Sequence, residues 1–255
     1  MNQLLSSIYS YLGFIFTVIC LGIILYFVFS DRAHPKINLR SIQAFSHFRR
    51  EVDLAVEAGK RLHISLGRGN LLDLQGGSAL IGLTILDRCA RAASNSDRPP
   101  VTTSGDGVIT ILSQDTLQYT YRSLATEQRY DPTNARLTGL TPLAYAAGAM
   151  PTIHDEQVSA NIFAGHFGAE VALLTEAGER SQILTMAGSD ALPAQAVLYA
   201  TSDEPLLGEE LYAAGAYLGT DAVHFASLRM QDILRWALVV IIVIGAILKL
   251  LGILA

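Results

Sequence analysis

The sequence predicts an α/β fold: a three-layer Rossmann-like sandwich with a mostly parallel sheet, flanked by an N-terminal and a C-terminal transmembrane helix. Three observations lead there. Two apolar stretches bracket the chain, Leu4 to Ser30 and Trp236 to Ala255, and Lys249 is their one charged side chain. Between them, short strand-like runs alternate with helical periodicities across short connections. Glycine and aspartate recur where the strand-like runs end. Such alternation argues for a parallel sheet covered by helices on both faces, with right-handed crossovers. The division that follows is 4–30 as a transmembrane helix, 31–43 as a linker, 44–221 as a cytoplasmic α/β domain, and 222–255 as a long helix continuing into the second membrane segment.

A helix needs about 20 mostly apolar residues to cross the hydrocarbon core. Tyr11 to Phe29 meets this with no charge, and Trp236 to Ala255 meets it with Lys249 near its far end, where the stem can reach the interface. Asp31 to Ser41 is a polar connector containing Pro35. Ala44 to Ala58 reads as an amphipathic helix, because Phe45, Phe48, Val52 and Val56 fall at helical spacing and Gly59 follows as a stop. Arg61 to Leu66 is a strand, Ser78 to Ala93 a helix, Val101 to Ser104 a strand and Val108 to Ala125 a helix. Arg136 to Leu140 is a strand, and Thr141-Pro142 opens a helix to about Met150, with proline in its first turn. Ser159 to Ala164 and Gln182 to Ala187 are strands, followed by helices from Ala169 to Ala177 and from Leu192 to Thr201. Pro205 to Leu207 is a last short strand before the helix Glu209 to Leu218. Gly219-Thr220-Asp221 supplies a break and an N-cap. From Ala222 no proline interrupts the pattern, so one helix to Leu254 would run about 50 Å.

Basic residues set the expected orientation. Arg32, Lys36 and Arg40 follow the first span, and Arg229 and Arg235 precede the second. The positive-inside rule then places the α/β domain in the cytoplasm and both termini outside, with Trp236 and Tyr26 in the aromatic belt. Apolar residues make up 51% of the 255 and the mean hydropathy is +0.35, mostly through the spans. The net charge is −5 with no basic stripe, which argues against nucleic acid as a partner. Cys20 and Cys89 are the only cysteines; one lies in a span and the other in a predicted helix, so no structural disulfide is expected. Only Lys36, Lys60 and Lys249 are lysines. Genome composition is the favoured reason for the arginine bias over interface use.

Ligands of open α/β sheets bind outside the carboxyl ends of the strands. The loops there offer Ser65, Gly67, Arg68, Gly69 and Asn70, then Ser104, Gly105 and Asp106, then Gly165 and His166, and finally Asp190. These are the candidate ligand-binding residues, with an anionic small molecule as the ligand. Glycine lets backbone N–H groups approach an anion at a helix start. The specific signatures are absent: Gly67-Arg-Gly69 lacks the third glycine of the dinucleotide fingerprint, and there is no P-loop, nucleophile elbow or His-Glu-x-x-His. Asp106 and Asp190 each precede a helix, where capping is the favoured role over chemistry. His166 has no Cys or His at ligand spacing, so it reads as a turn residue and no metal is expected. His63 reads as a core or sheet-face residue, Glu209-Glu210 as a favourable helix start, and His154-Asp155-Glu156 as a solvated helix end. Tyr145-Ala-Ala-Gly-Ala149 recurs as Tyr212-Ala-Ala-Gly-Ala216. Tyr145, Gly148, Tyr212 and Gly215 are the candidates for close helix packing within or between subunits.

His63-Ile-Ser-Leu-Gly67, Thr102-Thr-Ser-Gly-Asp106, Gln114-Asp115, Leu143-Ala-Tyr-Ala-Ala-Gly148 and Gly165-His-Phe-Gly-Ala-Glu170 form one pattern with Leu198 to Asp203, Gly208 to Gly219 and Gln231 to Trp236. In these residues the chain resembles an uncharacterised bacterial family, a domain of unknown function flanked by two membrane helices. The resemblance covers the chain from about Arg61 to its end. It implies the same layout and supplies no activity, cofactor or catalytic residue. Arg68 departs from the pattern, where a small or neutral residue is expected; it would either recruit an anion or fill the loop.

The functional expectation is a structural or scaffolding component of a homo-oligomeric membrane assembly, with the lipid bilayer and copies of the chain as partners. A long unbroken helix into the membrane suits a fixed pose. The alternative is a ligand-binding module for a nucleotide or phosphorylated metabolite at the Gly/Asp-rich loops. An enzyme using Asp106, Asp190 or His166 as acid or base ranks last, because no residue pairing specifies a reaction.

Overall fold

A computed structural model describes residues 2–31, 40–73, 75–94, 96, 98–219 and 222–251. The Pro35 connector with Arg32 and Lys36, the Thr220-Asp221 cap, and the helix end beyond Leu251 lie outside the described residues. The chain divides into two units, residues 40–219 and the two terminal segments.

Six strands build the larger unit: β1 (Arg61–Gly67), β2 (Val101–Ser104), β3 (Ala135–Leu137), β4 (Val158–His166), β5 (Leu184–Ser189) and β6 (Glu204–Leu206). They form one sheet in the order β3-β2-β1-β4-β5-β6, and every neighbouring pair is parallel. This is the doubly wound order in which the chain starts at the middle, runs to one edge and returns to run to the other. The inner strands β1, β2, β4 and β5 are buried on both faces, as a sheet sandwiched between helices requires, while the edge strands β3 and β6 are partly exposed.

The helices of this unit are α2 (Gln43–Glu57), α3 (Gly76–Ala92), α4 (Gly107–Ser123), α5 (Pro142–Asp155), α6 (Val171–Arg180), α7 (Leu192–Thr201) and α8 (Glu210–Leu218). Strand alternation sorts them into two layers. Leu62, Ile64 and Leu66 of β1 with Ile162 and Ala164 of β4 pack against α2, α3, α4 and α8. Phe163 of β4 and Ala187 of β5 face Tyr145 of α5, Leu174 of α6 and Leu198 of α7. Phe45, Phe48 and Val52 of α2 are buried as their spacing predicts, and Phe45 stacks on Tyr217 of α8 at 4.8 Å. Full burial of one such aromatic side chain contributes about 1.5–3 kcal/mol. Gly82 lets α3 lie close on the sheet, since a Cβ there would stand 2.4 Å from the Ala164 carbonyl oxygen.

Element ends depart from the sequence expectation for identifiable reasons. Helix α5 continues past Pro151 to Asp155. The missing proline N–H would have bonded the carbonyl of Ala147, which is exposed and therefore solvated. Strand β5 starts at Leu184 rather than Gln182, because Gln182 takes a left-handed conformation (φ 53°) that ends the turn after α6. Strand β3 ends at Leu137, and two 3₁₀ turns, Glu127–Arg129 and Pro132–Asn134, precede it.

The second unit consists of α1 (Asn2–Asp31) and α9 (Ala222–Leu250), both long and apolar enough to cross a membrane. They pack side by side with the end of α1 beside the start of α9, where Arg229 stands 5.5 Å over the Phe27 ring. Their apolar side chains are exposed, including Phe14, Phe16, Ile241 and Ile242.

Candidate site at the strand carboxyl ends

The sheet reverses its winding between β1 and β4, and the loops after these strands are stitched together. Gly67 is paired with His166, the Arg68 N–H donates to the His166 carbonyl at 2.8 Å, and the Gly105 N–H donates to the Gly67 carbonyl at 2.8 Å. The glycines of these loops therefore serve backbone-to-backbone closeness within the chain. Gly165 is one case, since a Cβ there would stand 2.1 Å from the Leu66 carbonyl oxygen. Gly69 packs on the Cβ of His166, and Asn70 Oδ1 accepts from the Leu72 N–H at 2.9 Å, fixing the turn.

Two carboxylates occupy positions where a doubly wound fold would receive an anion. Glu170 Oε1 accepts from Arg68 Nε at 2.9 Å and from the Gly168 N–H at 3.0 Å, with 4% of its side chain exposed. Burial pushes that carboxyl up, but the Gly168 and Arg68 hydrogen bonds outweigh it and hold the group below its ordinary range. Arg68, the departure from the family pattern, is thus answered by the chain's own carboxylate. Asp190 Oδ1 lies 2.7 Å from His166 Nδ1, and its Oδ2 accepts from the Ser78 hydroxyl at 3.0 Å, in the first turn of α3.

The two aspartates read as caps separate here. Asp106 is a cap: its Oδ1 accepts from the N–H groups of Val108 and Ile109 at 2.9 and 3.0 Å. Asp190 is not: α7 starts at Leu192 behind Ala191 with no side-chain cap, and Asp190 reaches across to His166 and Ser78 instead. Ser104 also works locally, bonding Thr110 Oγ1 at 2.5 Å in the first turn of α4. Replacing Asp106 with Ala is expected to cost about 1 kcal/mol of stability and replacement with Ser much less, as urea midpoints would report. A loss of several kcal/mol would give Asp106 a role beyond its cap.

Behind the loops runs a buried polar line across three strands. His63 Nε2 meets Thr103 Oγ1 at 2.9 Å and its Nδ1 meets Asn161 Oδ1 at 3.1 Å. Ser65 Oγ bonds the Tyr145 phenol, which also accepts from the Gly67 N–H at 3.2 Å. The first tyrosine of the repeated pentapeptide is therefore a core residue of its own domain. Gly148 lets α5 sit against Thr138, whose carbonyl oxygen would be 2.2 Å from a Cβ there, and Gly215 is buried. Tyr212 is 36% exposed, beside Gly77. Of the four packing candidates it alone presents a side chain at the surface.

Sequence reading missed Ser78 and Glu170, although Glu170 closes the Gly165–Glu170 motif. It also misplaced Glu156, which is no solvated helix end: it bridges Arg61 and Arg136. Burial opposes ionisation of Glu156, but the Arg136 hydrogen bond and the charges of Arg136, Arg61 and Arg98 prevail and lower its pKa. His154 meets Ser181 at 2.9 Å, and Glu210 pairs with Arg40 at 2.7 Å. Among the described residues no three His, Cys, Asp or Glu side chains group as metal ligands.

Fold and site together define a doubly wound, all-parallel α/β unit in a chain whose terminal helices are apolar and long enough to span a bilayer. The chain belongs to the family described as Domain of unknown function (DUF6754), whose model matches residues 4–255. No curated protein and no solved structure matches it.

Proposed function

We propose that the chain is a membrane-anchored structural component that assembles with copies of itself through its α/β unit. One observation carries this reading. Leucines stand out beyond the carboxyl ends of the strands: Leu72, in the connection after β1, is 88% exposed, Leu140 before α5 and Leu143 in its first turn are 70% and 69%, and Leu192, the first residue of α7, is 77%. Isolated exposed apolar residues are ordinary, but four large ones beyond the strand ends suit a surface that a partner covers. The same end of the sheet carries chain carboxylates at the anion positions. Asp190 at the first turn of α3 and Glu170 under Arg68 repel a phosphate, which weighs against the nucleotide or phosphorylated-metabolite reading.

In this reading α1 and α9 anchor the chain. Arg40, Arg229 and Arg235, with Arg32 and Lys36 of the connector, favour a cytoplasmic α/β unit and external termini.

The test is particle size. The protein purified in mild detergent is expected to run as one defined oligomer, and Leu72→Glu with Leu192→Glu to shift it toward the monomer without lowering the unfolding midpoint. A monomer at all concentrations, or an oligomer indifferent to both substitutions and to Leu140→Glu with Leu143→Glu, ends the proposal.

A further inference from the structure

A pocket of about 270 Å³ opens at the amino end of β5, the end of the sheet opposite the exposed leucines. Thr175 and Thr185 are its buried members, and Glu179, Thr201, Ser202 and Asp203 its more exposed ones. Helices α6 and α7 both run toward the amino ends of the strands, so their last turns, with Glu179 and Thr201, meet there. Asp203 is fixed beside them because its Oδ2 accepts from the Thr185 N–H at 2.8 Å. That contact lies one residue before the β5–β6 pairing begins at Met186 and Glu204.

Every hydroxyl of the pocket gives its proton to the chain itself. Thr201 donates to the Val197 carbonyl at 2.9 Å, Ser202 to the Leu198 carbonyl at 2.5 Å and Thr185 to the Ile183 carbonyl at 3.3 Å. Thr175 donates to the Ala172 carbonyl at 3.0 Å or to Thr201 Oγ1 at 2.9 Å. A carbonyl only accepts, so these hydroxyls offer a ligand lone pairs and no proton. The two carboxylates add further acceptors and negative charge. Glu179 pairs with no basic side chain among the described residues, and Asp203 Oδ1 receives no hydrogen bond from them. Arg180, beside Glu179, is held by Glu176 at 2.6 Å, and no basic residue lines the pocket among the described residues. The carboxyl ends of α6 and α7 bring the negative ends of two helix dipoles to the same place.

We propose that this pocket binds a small organic cation bearing a primary ammonium group. An ammonium carries only donors and a positive charge, the complement of a lining that only accepts. The volume is far above the roughly 30 Å³ that one water occupies, which leaves room for an aliphatic stem. A metal ion fits less well, since no third His, Cys, Asp or Glu among the described residues joins the two carboxylates. The same ammonium group reaches the pocket on a free amine or on the lysine side chain of a partner. The leucines argued above for assembly stand at the other end of the strands, so either proposal can fail without the other.

Isothermal titration calorimetry of the full-length protein in detergent tests it at physiological salt. n-Butylammonium is expected to bind saturably at millimolar concentration. Tetramethylammonium, which has the charge and no N–H, is expected to bind about ten-fold more weakly, and n-butanol not at all. Glu179→Gln and Asp203→Asn are each expected to weaken n-butylammonium binding by about ten-fold, equivalent to about 1.4 kcal/mol. Asparagine keeps an oxygen for the Thr185 N–H, and Glu179 is exposed, so the urea midpoint should hold in both variants. Should Asp203→Asn fail to fold, Glu179→Gln tests the site alone. Glu176→Gln, which removes the partner of Arg180, should bind as the parent does. Nα-acetyl-lysine amide separates the two sources: tighter binding than n-butylammonium assigns the pocket to a partner's lysine, and equal or weaker binding to a free amine. No saturable heat with either ammonium overturns the proposal. So does equal binding of tetramethylammonium, or an affinity indifferent to the carboxylate substitutions.

Discussion

Gly67→Ala is expected to destabilise the α/β unit by roughly 2–5 kcal/mol, the sum of two separable effects. Gly67 has φ +68°, a left-handed conformation that costs an L-residue about 1–2 kcal/mol. Its added Cβ would also stand 2.2 Å from the His166 carbonyl oxygen and 2.9 Å from its carbon. These are backbone atoms, so the ends of β1 and β4 must part, and the 2.8 Å bond from the Arg68 N–H to His166 goes with them. Overpacking of this kind adds about 1–3 kcal/mol. Two other glycines resolve the sum. Gly59 has φ +63° and open space around it, so Gly59→Ala should show the conformational cost alone. Gly107 has open space and no left-handed conformation, at the first position of α4, so Gly107→Ala should be neutral or slightly stabilising. Urea midpoints of the three variants in the full-length protein check the order. If Gly67→Ala costs no more than Gly59→Ala, the ends of β1 and β4 are not held as closely as described.

What was legible in the sequence is what depends on neighbours along the chain. Helix α7 runs from Leu192 to Thr201 as expected, because Pro193 sits in its first turn and a Ser-Asp pair follows its end. Strand β2 is likewise bounded by Pro100 and Gly105. The alternation of strands and helices, together with the handedness of crossovers, left few topologies, and the all-parallel order is one of them.

Illegible features were those decided by residues far apart in sequence. His166 and Asp190 each drew notice singly, yet their meeting requires the β4–β5 register, which no local pattern encodes. Asp190 read as a cap because capping is the local explanation for an aspartate before a helix; the distant imidazole won. Glu156 looked solvated at a helix end for the same reason, while its partners Arg61 and Arg136 stand on two other elements. The repeated pentapeptide carries the same lesson. Tyr145 is fully buried and bonds Ser65, whereas Tyr212 reaches the surface, so identical local sequence serves two environments.

Acid should weaken the unit well above the pH at which its carboxylates protonate, and His63 is the reason. Burial, opposed by the Asn161 hydrogen bond and assisted by the Arg136 charge, lowers its pKa from 6.5 to about 4. The Asn161 carbonyl oxygen accepts from Nδ1–H, and Nε2 accepts from the Thr103 hydroxyl, so the neutral ring is fully satisfied. In the unfolded chain the imidazole takes a proton near 6.5, while in the folded protein it resists until about 4. The unfolded state therefore binds more protons within that window. Stability is complete above 6.5 and falls as pH drops toward about 4. At 1.36 kcal/mol per pKa unit the loss reaches roughly 3 kcal/mol. Glu156 and Glu170 have lowered pKa values, so their contribution is present above the ordinary glutamate range and is lost beneath it. The two causes thus occupy different windows. Urea midpoints of the parent and of His63→Gln, whose carboxamide can both donate to Asn161 and accept from Thr103, separate them. His63→Gln is expected to lose its pH dependence between 6.5 and about 4 and to keep the carboxylate-driven fall below it. Parallel curves for the two proteins across that window would mean that His63 titrates alike in the folded and unfolded states. The buried Thr103–His63–Asn161 line would then not exclude the proton.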